Sequence, residues 1–382
     1  MITPRGIAVA GALFVLLVLG ILTHYPELGF LFLVGLATLV IGLGWVLRKP
    51  RLRIDRQIEP DRVVRGDVAL GLLKVGNPNS VASAPVVAYE ATGDTTVTVD
   101  IERLAPGEHI STTYKLPTSR RAVIPVGPLS ITRQDPFGLW RITQRVGDIR
   151  QLWVHPVTHA VAGLPSGRTL SMDGRDDDRA RNGSITFHSL REYVIGDDLR
   201  RVHWRSSAKL GTLMVRESVD TSLARITLVL DTQPSSYRGD GFEEAVEVAA
   251  SIGVTATSER YAVRLLTTSG ESAMARGITS DSTVLLDCFA GLEVGRGGTL
   301  TQLAEGLANE RRGDILVVVT GRPSPSDLSG IVAVGRRFDA GLVAMITSAE
   351  PDGSDPALPN VTMLRAPTAQ ALIAQWNTLV QR

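Results

Sequence analysis

The densest group of side chains able to do chemistry lies between Leu190 and Glu217, where Arg191, Glu192, Asp197, Asp198, Arg200, Arg201, Trp204 and Lys209 fall close together. Arginine forks bind carboxylates bidentately, so this set can fix two loops against each other or recognise an anionic partner. Trp204 is expected as a packed anchor. Ser206-Ser207-Ala208-Lys209 holds the elements of a serine–lysine nucleophile, with Ser207 and Lys209 as its members, but no oxyanion donor or hydrophobic pocket accompanies them. A second place is the run Ile226–Leu230, which ends at Asp231 and continues Thr232-Gln233-Pro234-Ser235-Ser236. Ligands on open α/β sheets bind beyond the carboxyl ends of the strands, which points to Asp231. Its alternative role is to cap the next helix or turn. Asp176-Asp177-Asp178 lacks the spacing of a calcium loop and reads as a solvated acidic run. The glycines from Gly291 to Gly298 are not followed by Gly-Lys-Ser/Thr, so they form no nucleotide loop. Cys288, between Leu285-Leu286 and Phe289, reads as a small buried hydrophobe.

The elements that position these groups follow from periodicity. Ile226–Leu230, Ala262–Thr267, Ile315–Thr320 and Leu342–Ile346 are apolar strand runs. Helices are expected at Phe242–Ser258, Leu300–Arg311 and Pro367–Leu379. Strands alternating with helices predict a mostly parallel sheet covered on both faces. Upstream, Val68–Val75, Val86–Glu90, Thr95–Ile101, Ile110–Leu116 and Ala122–Ile131 are short β runs separated by turn signals such as Gly76-Asn77-Pro78-Asn79. They predict a small β-sandwich, with Ala122–Ile131 at an edge because it contains Pro125 and Pro128. Within Asp135-Pro136-Phe137-Gly138-Leu139-Trp140, the two aromatics are expected to fill a domain junction.

Gly6–Thr23 and Leu28–Leu47 carry no charge and are each long enough to cross a hydrocarbon core of about 30 Å. His24-Tyr25-Pro26-Glu27 is so short a link that the two form an antiparallel hairpin. Arg5 precedes the first span and Arg48, Lys49, Arg51 and Arg53 follow the second, so both termini and everything after the hairpin are expected on the cytoplasmic side of a plasma membrane. A cleaved signal peptide followed by one anchor would put the rest outside, but no small-x-small site follows the first span. Gly35, Gly42 and Gly44 offer small residues for packing within the membrane. With 382 residues, 44% of them hydrophobic, the chain can bury sizeable cores, and its net charge of +1 gives no case for nucleic-acid binding. A single cysteine fits a reducing compartment. The fold class is therefore α+β and multidomain. It comprises a transmembrane helical hairpin over residues 1–50, a β-sandwich-like domain over 51–155, a linker over 156–189, and the charged signature with a Rossmann-type α/β domain over 190–382.

The run Leu190-Arg191-Glu192-Tyr193, Gly196-Asp197-Asp198, Arg200-Arg201, Trp204, Lys209-Leu210-Gly211 and Val215-Arg216-Glu217 resembles the signature of the bacterial domain of unknown function 58 family. Asp135-Pro136-Phe137-Gly138 matches that family's upstream motif, and the N-terminal hairpin resembles its usual layout. The resemblance implies that the α/β part is von Willebrand factor A-like, with a metal-ion-dependent adhesion site of the form aspartate-x-serine-x-serine. Asp231 and Ser235 match it, Gln233 replaces the first serine, and Thr299 stands for the distal threonine. The later aspartate is missing, since Val319-Thr320-Gly321-Arg322 occupies its place. The ligand set so implied is degenerate and would hold Mg2+ weakly, because the ion wants hard oxygen ligands in octahedral geometry. The resemblance also implies a non-enzymatic role at the membrane, with a MoxR-type AAA+ ATPase as protein partner in complex assembly or cell-envelope processes. A purely structural membrane scaffold and a metal-assisted hydrolase are the alternatives.

Overall fold

A computed structural model describes residues 2–47, 52–83, 85–164, 186–192, 202–219, 225–276, 281–295, 297–308, 314–347 and 361–381. The chain divides into two compact units, Met1–His155 and Pro156–Arg382.

The first unit opens with α1 (Pro4–Thr23) and α2 (Pro26–Leu47), both long and apolar enough to cross a bilayer. Thr3 caps α1 by accepting the Gly6 N–H at 3.1 Å, and His24 ends it in a left-handed conformation with φ of 58°. Phe14, Ile21, Phe30 and Leu33 are exposed on these helices, so among the described residues nothing covers these apolar side chains. Gly35 leaves room for the Leu13 side chain of α1, whereas a Cβ at Gly44 would meet none of the described residues within 4 Å. Then follow β1 (Arg53–Glu59), β2 (Arg62–Val64), β3 (Leu70–Gly76), β4 (Val86–Thr92), β5 (Thr95–Ile101), β6 (His109–Lys115), β7 (Ala122–Gln134), β8 (Arg141–Val146) and β9 (Arg150–His155). One sheet has the order β1-β3-β6, and the other the order β2-β9-β7-β4-β5 with β8 also on β7. Leu73, Val75 and Tyr114 from the first and Ala88, Leu129, Leu152 and Val154 from the second share one core, which makes a sandwich.

Strand β7 is central, not the edge strand that its prolines suggest. It pairs with β4 on one side and on the other with β9 and then β8. Pro128 falls where the neighbour changes from β9 to β8 and where the register against β4 shifts between Glu90 and Thr92. A proline at such an irregularity removes no ladder bond that the sheet needs.

A buried polar triad crosses the sandwich. Glu90 of β4 is wholly buried and accepts from Arg56 of β1 and from the Tyr114 hydroxyl of β6, and Arg56 also donates to the Asp148 carbonyl. Burial, then the Glu90 carboxylate beside it, pushes the Tyr114 hydroxyl far above its ordinary value.

The second unit contains β10 (Thr186–Glu192), α3 (Trp204–Leu210), β11 (Met214–Val219), β12 (Arg225–Leu230), α4 (Gly241–Ser258), β13 (Ala262–Thr267), β14 (Ser272–Ala275), α5 (Thr283–Gly291), α6 (Leu300–Ala308), β15 (Ile315–Thr320), α7 (Pro325–Gly335), β16 (Ala340–Ile346), β17 (Val361–Ala366) and α8 (Ala369–Val380). Its main sheet has the order β14-β13-β12-β15-β16-β17, parallel except for β14. Alternate side chains serve opposite faces. Ile226, Leu228 and Leu230 of β12 pack with Phe242, Val246, Phe289 and Trp376, while Val229, Leu316 and Val318 pack with Leu300, Ile331 and Val334.

Residues 156–164, which the expected linker over 156–189 includes, bond to α8. Trp376 Nε1 donates to Gly163 O at 2.9 Å, Asn377 bonds both Ala160 O and Ala162 N, and Leu164 enters the core. The rest of that expected linker up to Ile185, including the acidic run at 176–178, lies outside the described residues.

Replacing Glu90 with alanine leaves Arg56 buried without its carboxylate, which should destabilise the sandwich by about 3–5 kcal/mol. Amide hydrogen exchange of β1 and β4 in the detergent-solubilised chain is expected to accelerate, and less so in Glu90→Gln. Unchanged exchange in both variants would show that the triad does not hold the two sheets together.

Candidate functional site

Asp231 follows β12, next to the point where the chain has built β13 on one side and places β15 on the other. This is the topological switch point of such a sheet. The Asp231 side chain is fully buried. Its Oδ2 accepts from Ser236 Oγ at 2.6 Å and Thr320 Oγ1 at 2.8 Å, and its Oδ1 from Gln233 N at 3.0 Å and Thr268 Oγ1 at 3.3 Å. Tyr237 OH closes the turn on the Asp231 carbonyl at 2.6 Å. Burial, then the nearby Asp231 carboxylate, pushes that phenol well above its ordinary value, so it stays a donor.

The loops beyond the strands are fastened to one another around this carboxylate. Thr232 N donates to Thr268 Oγ1 at 2.8 Å and Thr232 Oγ1 to Ser269 Oγ at 2.9 Å, and Ser269 in turn donates to Glu271. Burial raises the Glu271 carboxyl, but the hydroxyls of Ser269 and Thr267 more than offset it and leave it below the ordinary carboxylate value. Gly321 is required by close approach, since a Cβ there would collide with the Ser236 carbonyl that accepts from Arg322 N at 2.8 Å. Arg322 is exposed and its Nε reaches Thr347 at 3.4 Å.

The expected ligand set is not assembled. Asp231 is in place, but Ser236, not Ser235, reaches it, and Ser235 is exposed. Thr299 caps α6, exchanging bonds with Gln302 at 3.1 and 3.2 Å. Gln233 offers its backbone N–H to Asp231, while its Nε2 is buried without a partner. Thr320, standing where the later aspartate was expected, donates to Asp231 instead of adding a charge. A magnesium ion keeps several waters and wants unoccupied hard oxygens. Here both carboxylate oxygens are already filled by donors, and Thr232, Thr268, Thr320 and Ser236 are themselves at most 5% exposed. The residues therefore do not fit the ion. Among the described residues no group of three or more His, Cys, Asp or Glu side chains is arranged to hold a metal.

The charged signature is the second candidate. Strands β10 and β11 pair antiparallel, with Arg191 opposite Val215 and Glu192 opposite Met214, and α3 is carried between them. Asp197, Asp198, Arg200 and Arg201 lie outside the described residues, and of Arg191 and Glu192 only the backbone is described. Trp204 is 66% exposed, not the packed anchor expected, and Arg205 and Lys209 are exposed on the same short helix. Ser207 is buried and committed to structure: its hydroxyl donates to His203 O at 3.2 Å and accepts from Met214 N at 2.8 Å. It stands two residues from Lys209, a spacing at which helical side chains do not face each other. His203 Nδ1 accepts from both Ser206 N and Ser206 Oγ, which caps α3. Cys288 is half-buried, and burial pushes its thiol above the ordinary value, which keeps it unreactive.

Residues 189–355 match the model of the family described as "Protein of unknown function DUF58". No curated protein matches the chain. Solved structures similar to parts of it include a β-glucosidase from Listeria innocua in complex with gluconolactone, at 12% identity and a TM-score of 0.18 over 27% of this chain and 16% of that one. The alkylpurine DNA glycosylase AlkC of Pseudomonas fluorescens is 13% identical, with a TM-score of 0.21 over 31% of this chain and 34% of that one. The sporulation control protein Spo0M of Bacillus subtilis is 16% identical, with a TM-score of 0.17 over 27% and 49%. Likenesses of this size carry no argument about function.

Asp231→Ala would leave the hydroxyls of Ser236, Thr268 and Thr320 without their acceptor, at a cost of several times the ~1 kcal/mol of an ordinary hydrogen bond. Amide exchange of β12 and β15 is expected to speed up, and unaltered exchange would remove the structural role. Asp327 gives a pH-dependent counterpart. Burial raises its carboxyl, but the hydroxyls of Ser324 and Thr301 and their backbone bonds hold it below the ordinary value. A depressed carboxyl stabilises fully above its unfolded value of about 4 and loses that contribution as pH falls through the folded value. Asp327→Asn should thus open α6 and α7 at neutral pH, with its deficit closing on acidification. A deficit constant with pH would contradict this.

Proposed function

We propose that this chain is a two-pass membrane-anchored interaction protein without catalytic activity of its own. Its soluble units are proposed to lie on the cytoplasmic side, where they engage a MoxR-type AAA+ ATPase. The observation that carries the reading is Trp204, an aromatic 66% exposed and followed on the same short helix by exposed Arg205 and Lys209, within the segment that matches the family model. Exposed tryptophan with neighbouring cations is the composition of interface hot spots. Support for the non-enzymatic part comes from Ser207 and Asp231, whose polar groups are already taken up by structural bonds. We read the α/β unit as von Willebrand factor A-like. The reading rests on the parallel sheet, the acidic residue at the switch point and the signature that leads into it. The contact it offers would be a protein surface without a metal bridge. The cations at both outer ends of the helical hairpin support the orientation.

The test is a pull-down from detergent-solubilised membranes with magnesium or chelator present. An AAA+ ATPase should be captured equally in both, and capture should fall at least tenfold in Trp204→Ala combined with Lys209→Ala, about the loss of one 1.4 kcal/mol contact. Capture unaffected by the double substitution would eliminate the α3 face. Absence of any ATPase would favour a purely structural scaffold.

A further inference from the structure

The Asp135–Trp140 turn between β7 and β8 does not fill a junction with both aromatics. Leu139 is buried, while Phe137 is 56% exposed. The turn instead docks on the outer end of the helical hairpin. Trp140 Nε1 donates to Leu39 O of α2 at 3.0 Å, and Thr3, which caps α1, donates from Oγ1 to Gly138 O at 2.6 Å and from N to Leu139 O at 2.9 Å. Glycines allow this approach: a Cβ at Gly6 would collide with the Leu139 carbonyl, and one at Gly42 would come within 3.2 Å of Asp135 Oδ2 and of the Trp140 ring.

Depth follows from helix geometry. Gly42 lies sixteen residues beyond Pro26, and Gly6 seventeen before Thr23, which at 1.5 Å per residue is about 24–26 Å from the connecting link. A hydrocarbon core of about 30 Å would therefore end close to the level of this turn. Non-helical backbone enters such a region only if its polar groups are satisfied within the protein. Much of this turn's backbone meets that demand. Phe137 N and Trp140 N donate to the Asp135 carboxylate at 3.0 and 2.5 Å, Gly138 N donates to Asp135 O at 2.9 Å, and Pro136 has no N–H to satisfy. Apolar groups exposed toward that end of the hairpin include Phe137, Ile2 and Trp45, at 56%, 37% and 46%, together with Ile7, Ile41 and Leu47, and Arg5 is exposed in the first turn of α1. Aromatic rings and cations at that height are what a lipid headgroup boundary takes up.

We propose that the Asp135–Trp140 turn is a third membrane contact, with the Phe137 ring seated in the lipid interface, so that the sandwich is held against the bilayer and not merely tethered to it. The inference rests on the hairpin spanning the membrane. The test uses the full chain in phosphatidylcholine–phosphatidylglycerol vesicles, in a Cys288→Ser background, carrying an environment-sensitive NBD dye at Phe137→Cys, at Leu33→Cys within α2, or at solvent-exposed Val81→Cys. The expected result for position 137 is blue-shifted emission quenched by nitroxides near the lipid headgroup and spared by a water-soluble nitroxide, with position 33 quenched by nitroxides deep in the acyl chain. Quenching at 33 with position 137 behaving like position 81 would overturn the contact and leave the anchor intact. No lipid quenching at 33 would overturn the anchor, and the contact with it.

Discussion

A carboxylate removed from water must recover its hydrogen bonds from the protein, and that demand organises both units of this chain. Asp231 sits at the carboxyl end of the parallel sheet, where four donors from the end of β15 and from the loops after β12 and β13 converge on it. Asp135 does the same for the turn that meets the helical hairpin, and Glu90 for the two sheets of the sandwich. Each marks a joint between elements distant in sequence. Each also limits chemistry, since an oxygen already filled by donors inside the fold has little to offer a ligand.

That limit separates the two candidate sites. The switch point has the position of a ligand site but the bonding of a structural one. The outer side of α3 has the opposite character: Trp204, Arg205 and Lys209 stand exposed there, while His203, Ser206 and Ser207 hold the helix in place. Recognition on this protein is better sought on α3 than at Asp231.

Much of the fold was legible in the sequence because apolar runs force it. Strands β12, β13, β15 and β16 and helix α4 emerge within a few residues of their periodic patterns, and the hairpin from its two uncharged runs, whereas β17 was not read. Pro128 misled because a proline at a change of strand partner looks, in sequence, like one at an edge, while Pro125 sits inside the β7–β9 ladder opposite Gln151. Residues 156–164 were set with the linker, and their contacts with α8 run largely through backbone carbonyls and amides, which composition does not report. At the site, motif spacing chose Ser235 and Thr299, whereas the folded turn brings Ser236, Thr268 and Thr320 to Asp231. A signal for these was present: hydroxyl residues stand at or just past the ends of β12, β13, β15 and β16. The triad of Arg56, Glu90 and Tyr114 left no trace, because its members come from three separate strands.

The most direct measurement is a manganese titration of the purified full chain followed by electron paramagnetic resonance, with manganese standing in for magnesium. A caged Asp231 predicts that wild type and Asp231→Ala deplete free manganese equally and only through weak, non-saturating binding. Saturable binding of one ion per chain that disappears in Asp231→Ala would show that the carboxylate is open to a metal after all.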